Sequence, residues 1–159
     1  FDHASAYERL KALDGSRFVD SVSGWFTPKK AEELRSDVES FHVYFKPVKL
    51  KKATLKPIVL SEFGGYSYQD RDHIFNPTNT YGYGKFDTSE EFHEAVISLY
   101  ENEIIPAIEK GLCADIYTQL SDVEDETNGL FSFDRKVLKL QPQEMLPIAT
   151  QLKEALEHL

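Results

Sequence analysis

The run Lys56-Pro57-Ile58-Val59-Leu60-Ser61-Glu62-Phe63-Gly64-Gly65 decides the fold class. Its Ile-Val-Leu centre is continuous rather than alternating, the pattern of a parallel strand covered on both faces. The spacing predicts a strand over residues 57–63, with a carboxylate at its carboxyl end and two glycines after it. Upstream, residues 17–23 read as a strand with Phe18, Val19 and Val22 as apolar positions, ending in Ser23-Gly24-Trp25. Residues 41–45 read as another, closed by Pro47. A helix precedes both: Ser5 and Glu8 fit a capping box, Tyr7, Leu10 and Leu13 recur at helical spacing, and Asp14-Gly15 stops it. Downstream, Thr88 and Glu91 make a second capping box. Phe92, Val96, Leu99, Ile104 and Ile108 mark the apolar face of that helix, Pro106 should bend it, and Gly111 ends it. A fourth strand is expected over residues 113–120, opened by Cys113 as a small buried hydrophobe, and a last helix over residues 142–157. With a weak short helix near residues 48–54, the order is α-β-β-β-α-β-α. Such alternation implies crossover connections and a parallel sheet, an α/β fold.

Composition narrows the function. The 159 residues carry 18 Lys and Arg against 27 Asp and Glu, a net charge of −9. An acidic chain without a basic stripe repels phosphate backbones, so no nucleic-acid partner is expected. No apolar run approaches the roughly 20 residues of a membrane-spanning helix, so no membrane partner is expected either. Cys113 is the only cysteine, which excludes an internal disulfide and a cysteine-built zinc site. His3, His73, His93 and His158 show no ligand spacing, and no phosphate-binding glycine loop, nucleophile elbow or dinucleotide fingerprint occurs. No metal or cofactor is therefore expected.

Aromatic residues are the informative class, with 11 Phe, 8 Tyr and one Trp. Several sit beside glycines in the long segment after the Glu62 strand, at Tyr66, Tyr68, Tyr81 and Tyr83. They either wall a binding site or pack the loop on itself. Glu62 is a desolvated strand-end carboxylate fit for catalysis or a surface residue starting a loop. The glycines after it let the backbone turn and a ligand approach. Trp25 closes a strand and either stacks on a sugar face or fills the core. His42 and Tyr44, two apart, share a strand face and either reach a ligand and Glu62 or form a buried pair. Tyr117 and Gln119 share a face of the last strand, so either can point to the mouth of the sheet. Asp122, Glu124, Asp125 and Glu126 read as loop carboxylates for hydrogen bonding or helix capping.

These residues resemble a family. Ser61-Glu62-Phe63-Gly64-Gly65 after an apolar strand resembles the strand-7 nucleophile motif of (β/α)₈ glycosidases. Tyr117-Thr118-Gln119-Leu120-Ser121-Asp122-Val123-Glu124-Asp125-Glu126-Thr127-Asn128-Gly129-Leu130, followed by Asp134-Arg135-Lys136, resembles strand 8 and its loop in glycoside hydrolase family 2. That family includes β-galactosidases and β-glucuronidases. Residues 17–25 resemble its strand 5, and residues 37–44 its strand 6. The resemblance covers nearly the whole chain. It implies a partial TIM barrel: residues 1–159 as the C-terminal half of a catalytic domain, strands 5 to 8 with their helices, in a longer protein. A whole barrel needs about 250 residues.

The resemblance further implies hydrolysis of a terminal β-linked sugar by retaining double displacement, with Glu62 as nucleophile and Trp25, His42, Tyr44, Tyr117 and Gln119 around the substrate. The family's acid/base is a Glu after Asn closing strand 4, which would lie before Phe1. The one Asn-Glu in the chain, Asn102-Glu103, falls in mid-helix. The partners implied are a carbohydrate and the missing N-terminal half. An isolated half-barrel would be inactive. It would also expose unpaired edges and an apolar inner face, carried by Phe18, Val43 and Val59 or their alternates, and would form a homodimer. The other reading is a non-catalytic carbohydrate-binding or self-associating module.

Overall fold

A computed structural model describes residues 2–24, 34–50 and 56–158. The chain is mixed α/β. Helix α1 (His3–Leu13) is capped by Asp2, whose carboxylate accepts from the Ser5 N–H at 3.0 Å. The cap therefore lies three residues before the Ser5 box expected from the sequence. No residue of α1 is buried. Polar links to Asp37 hold the helix, with the Tyr7 hydroxyl donating at 2.8 Å and Lys11 Nζ at 3.2 Å.

Residues 17–23 do not form the expected strand. Side chains take over much of the hydrogen bonding a ladder would supply. Val19 N–H donates to the Asp37 carboxylate at 2.8 Å, and the Val19 carbonyl accepts from Ser36 Oγ and from Asp37 N–H. Phe18 is left 82% exposed.

Three parallel strands make the main sheet, in the order β1 (Glu39–Val43), β2 (Ile58–Gly64), β5 (Leu112–Thr118). Ile58, Leu60 and Phe63 bury their side chains with Leu99, Ile104, Ala107 and Leu112, and Phe41 and Val43 pack against the same cluster. Val43 thus faces the helices. The opposite face, open at Glu62, carries Ser40, His42, Ser61 and Glu62 together with Val59, one of the apolar residues expected there, so its surface is mixed. Ser40 and Ser61 hydroxyls meet there at 2.5 Å.

A register shift re-aims Glu62. Phe41 pairs with Leu60, but the next residue, His42, pairs with Glu62, leaving Ser61 as the extra residue of a bulge. Strict alternation from Leu60 would send Glu62 into the core and Phe63 out of it. With the bulge, Phe63 enters the core fully buried and Glu62 turns to the open face.

After β2 the chain forms a short parallel pair, β3 (Tyr66–Tyr68) with β4 (Gly84–Phe86). The expected long loop is therefore pinned at both ends. Helix α2 (Ser89–Leu99) starts with the expected capping box, Thr88 to Glu91 N–H and Glu91 back to Thr88 N–H. It buries Phe92, Val96 and Leu99. It then widens into a π-helical segment, Tyr100–Ile104, before α3 (Ile105–Ile108). Pro106 explains this, because it lacks the N–H for the Asn102 carbonyl and its ring crowds that group. The Ile105 N–H reaches instead to the Tyr100 carbonyl, five residues back. Helix α4 (Pro142–Glu157) matches the expected last helix and buries Ile148. Cys113 is exposed on β5, contrary to its expected burial, since the strand is an edge among the described residues. Residues 48–50 carry no helix, and the rest of the expected short helix, 51–55, lies outside the described residues. No described helix is long and apolar enough to cross a membrane.

Candidate functional site at the carboxyl end of the sheet

Three chain segments converge on Glu62. β1 supplies His42 and, just beyond its end, Tyr44. β5 supplies Thr118, and the segment between β3 and β4 supplies Tyr83. The Tyr44 hydroxyl lies 2.8 Å from Glu62 Oε2 and 2.9 Å from Thr118 Oγ1. A phenol has one proton, so Tyr44 donates to the carboxylate and accepts from Thr118. His42 Nδ1 lies 3.3 Å from the same Glu62 oxygen, with the imidazole 5% exposed and the carboxylate 41% exposed. One carboxylate oxygen is thus gripped from the protein side while the group still faces solvent.

Burial raises the Tyr44 hydroxyl far above its ordinary pKa, and the Glu62 charge adds to this against the bond from Thr118. The Tyr83 ring stacks on Tyr44, centroids 3.8 Å apart and planes 10° from parallel. Phe45 and Tyr81 meet Tyr83 edge-on at 4.7 and 5.6 Å. Burial, then the Tyr81 hydroxyl, pushes Tyr83 up to about 12. Both tyrosines are therefore neutral donors at physiological pH.

The two glycines after Glu62 serve this packing. Gly64 and Gly65 have φ of +79° and +66°, which side-chain-bearing residues rarely adopt. A Cβ on Gly64 would lie 2.5 Å from the Tyr117 ring, and one on Gly65 2.3 Å from the Tyr83 ring. Aromatic rings of the protein, rather than a ligand, fill the space they leave.

The other expected site residues divide. Tyr117 is not on the Glu62 face: it pairs with Phe63 and packs its ring on that core side chain, centroids 5.7 Å apart. Burial raises its hydroxyl strongly. A register shift in the β2–β5 pairing sets its parity, and the sequence does not display it. Gln119 lies past the end of β5, after a cis Thr118–Gln119 peptide, and its amide donates to Glu126 at 2.9 Å and Asn128 at 2.8 Å. It braces the following loop. Tyr66 and Tyr68 pack inward on Phe86 and Phe92, whereas Tyr81 and Tyr83 join the wall. Trp25 lies outside the described residues.

The acidic loop after β5 is built on a buried ion pair that the sequence reading missed. Lys139 Nζ lies 2.7 Å from Asp122 Oδ1, with the two side chains 0% and 1% exposed. The ammonium also donates to the Tyr68 and Thr127 carbonyls at 2.8 and 2.9 Å. Burial raises Asp122 and lowers Lys139, each opposed by the partner's charge. The available signal was a lysine inside the apolar run Val137-Leu138-Lys139-Leu140. Asp125 accepts from Asn76 and Asn79 at 3.0 and 2.6 Å, tying this loop to the one carrying Tyr83. His73 and Asp134 add a second tie at 2.9 Å. Asp122, Asp125 and Glu126 hydrogen-bond within the loops and cap no described helix.

Chemically, the site offers one anchored, solvent-facing carboxylate beside an aromatic wall. It can accept hydroxyl protons or attack an electrophilic carbon. Glu62's hydrogen bonds among the described residues include no second carboxylate, and no group of three or more described His, Cys, Asp or Glu could hold a metal ion. No family model matches the chain, and no curated protein matches its sequence.

Proposed function

We propose that the chain is the C-terminal half of the (β/α)₈ catalytic barrel of a retaining β-glycosidase similar to glycoside hydrolase family 2, with Glu62 as nucleophile. The observation that carries this reading is the bulge that turns Glu62 to the open face, where Tyr44 and His42 hold one of its oxygens. In the reaction, Glu62 attacks the anomeric carbon and forms a glycosyl ester, which water then hydrolyses. Tyr44 keeps the carboxylate oriented, and the Tyr83 wall offers a stacking surface for a pyranose. The N-terminal half supplies the acid/base about 5–5.5 Å away, as retention requires. A 2-fluoro-glycoside trap, applied to a longer polypeptide containing this chain and its upstream sequence, should label Glu62. Labelling of another carboxylate would overturn the assignment.

For the chain alone, a non-catalytic carbohydrate-binding or self-associating module is favoured because no second carboxylate bonds to Glu62 among the described residues and β5 is an edge among them, with Ile116 58% exposed. Such an edge invites pairing with a second copy. Light scattering should report a dimer, and a monodisperse monomer at high concentration would exclude self-association.

A further inference from the structure

We propose that a cleft on the helix side of the Tyr44–Tyr83 stack binds a phenol, an aromatic ring bearing a hydroxyl donor that Glu103 accepts. The cleft has a volume of about 230 Å³ and is lined by Phe45, Tyr83, Val48, Leu99, Lys46 and Glu103, among others. Sites for drug-sized ligands run about 300–1,000 Å³, so this one suits a single ring.

Glu103 is the informative residue. It continues the buried stripe Phe92, Val96, Leu99 at helical spacing, where an apolar side chain belongs. It lies in the π-helical segment, a kind of irregularity often found at functional sites. Its Oε2 accepts from the Val48 N–H at 2.6 Å, and no other hydrogen bond to this carboxylate occurs among the described residues. Tyr66 lines the same cleft as Glu103, and its hydroxyl is raised by burial first and by the Glu103 charge second.

The ligand class follows from these walls. A flat ring matches aromatic and branched aliphatic side chains, and a phenolic O–H gives a charge-assisted bond to the carboxylate. An anion would meet the Glu103 carboxylate as well as Lys46, whereas a neutral phenol keeps its hydroxyl for Glu103. The inference does not rest on the glycosidase reading.

The test is titration of the chain with p-cresol, following the Val48 and Leu99 methyl resonances. Saturable shifts with a millimolar dissociation constant are expected for so small a ligand. Glu103→Gln, which keeps an acceptor for Val48, should weaken binding roughly tenfold. Phe45→Ala, at a side chain 79% exposed and so harmless to the fold, should weaken it several-fold. Toluene should bind more weakly than p-cresol. Absence of saturable shifts, equal binding of toluene, or unchanged binding in Glu103→Gln would overturn the proposal. Binding of p-cresol makes no use of the Glu62 carboxylate, so failure of the nucleophile assignment leaves this result untouched.

Discussion

Glu62 and Asp122 both stand at or just beyond the carboxyl end of a parallel strand, and the protein treats them oppositely. Glu62 is 41% exposed, with the neutral Tyr44 hydroxyl donating to one of its oxygens and His42 Nδ1 3.3 Å from the same atom. Asp122 is 1% exposed and clamped to an ammonium that is itself sealed from water. The first arrangement keeps a negative charge available to something outside the protein. The second spends that charge internally, drawing together β3, the loop after β5 and the segment leading to α4 through Lys139. Position at a strand end therefore does not separate a solvent-facing carboxylate from an internally paired one. The partner's charge and the access of water do.

The largest effect that would sharpen this contrast is on turnover. In the longer glycosidase proposed above, Glu62→Gln should lower kcat by at least about 10⁴-fold with the thermal unfolding midpoint little changed. A small loss would place Glu62 among binding groups. Next, Lys139→Met leaves a buried carboxylate without its counter-charge and should destabilise the chain by about 3–5 kcal/mol in urea unfolding. The double variant Asp122→Leu with Lys139→Met should recover most of that loss. If the single variant unfolds like the parent, the pair is not the brace described. Smaller again, Tyr44→Phe removes the donor to Glu62 and should cost roughly tenfold in kcat/KM, corresponding to one hydrogen bond to a charged group. Equal activity would show that His42 suffices to hold the carboxylate.

The smallest effect concerns pH. His73 is raised, chiefly by its hydrogen bond with Asp134, and Asp134 is lowered, chiefly by the same bond. The His73 contribution is fully present below the unfolded value of 6.5 and is lost as pH rises through the raised folded value. The Asp134 contribution is present above the unfolded value of 3.8 and is lost as pH falls through the lowered one. The tie is thus strongest in mild acid. His73→Gln should narrow the stability difference between wild type at about pH 5 and at about pH 8. An unchanged difference would remove this tie from the account.

What could be read beforehand follows from how local each cause is. The β2 run, the Thr88–Glu91 cap and the apolar stripe of α2 are set by neighbours in sequence, and all three were legible. Residues 17–23 carry a strand-like pattern, but Asp37 and Ser36 supply hydrogen bonds that a pattern of apolar positions does not report. Glu62 stands out in the sequence by its place after an apolar run, yet its facing depends on a bulge with no sequence mark. Tyr117 was misplaced for the same reason. Lys139 was missed because its counter-charge lies 17 residues away, across a loop.

The stacked Tyr44 and Tyr83 rings have an optical consequence. Two phenol chromophores with centroids 3.8 Å apart and nearly parallel planes couple their transitions, giving a near-ultraviolet circular dichroism band that isolated tyrosines lack. With Tyr83 ionising only near about 12 and Tyr44 also held protonated, that band should persist through the alkaline range in which free tyrosine becomes phenolate. The protein thus carries its own spectroscopic reporter one hydrogen bond away from Glu62.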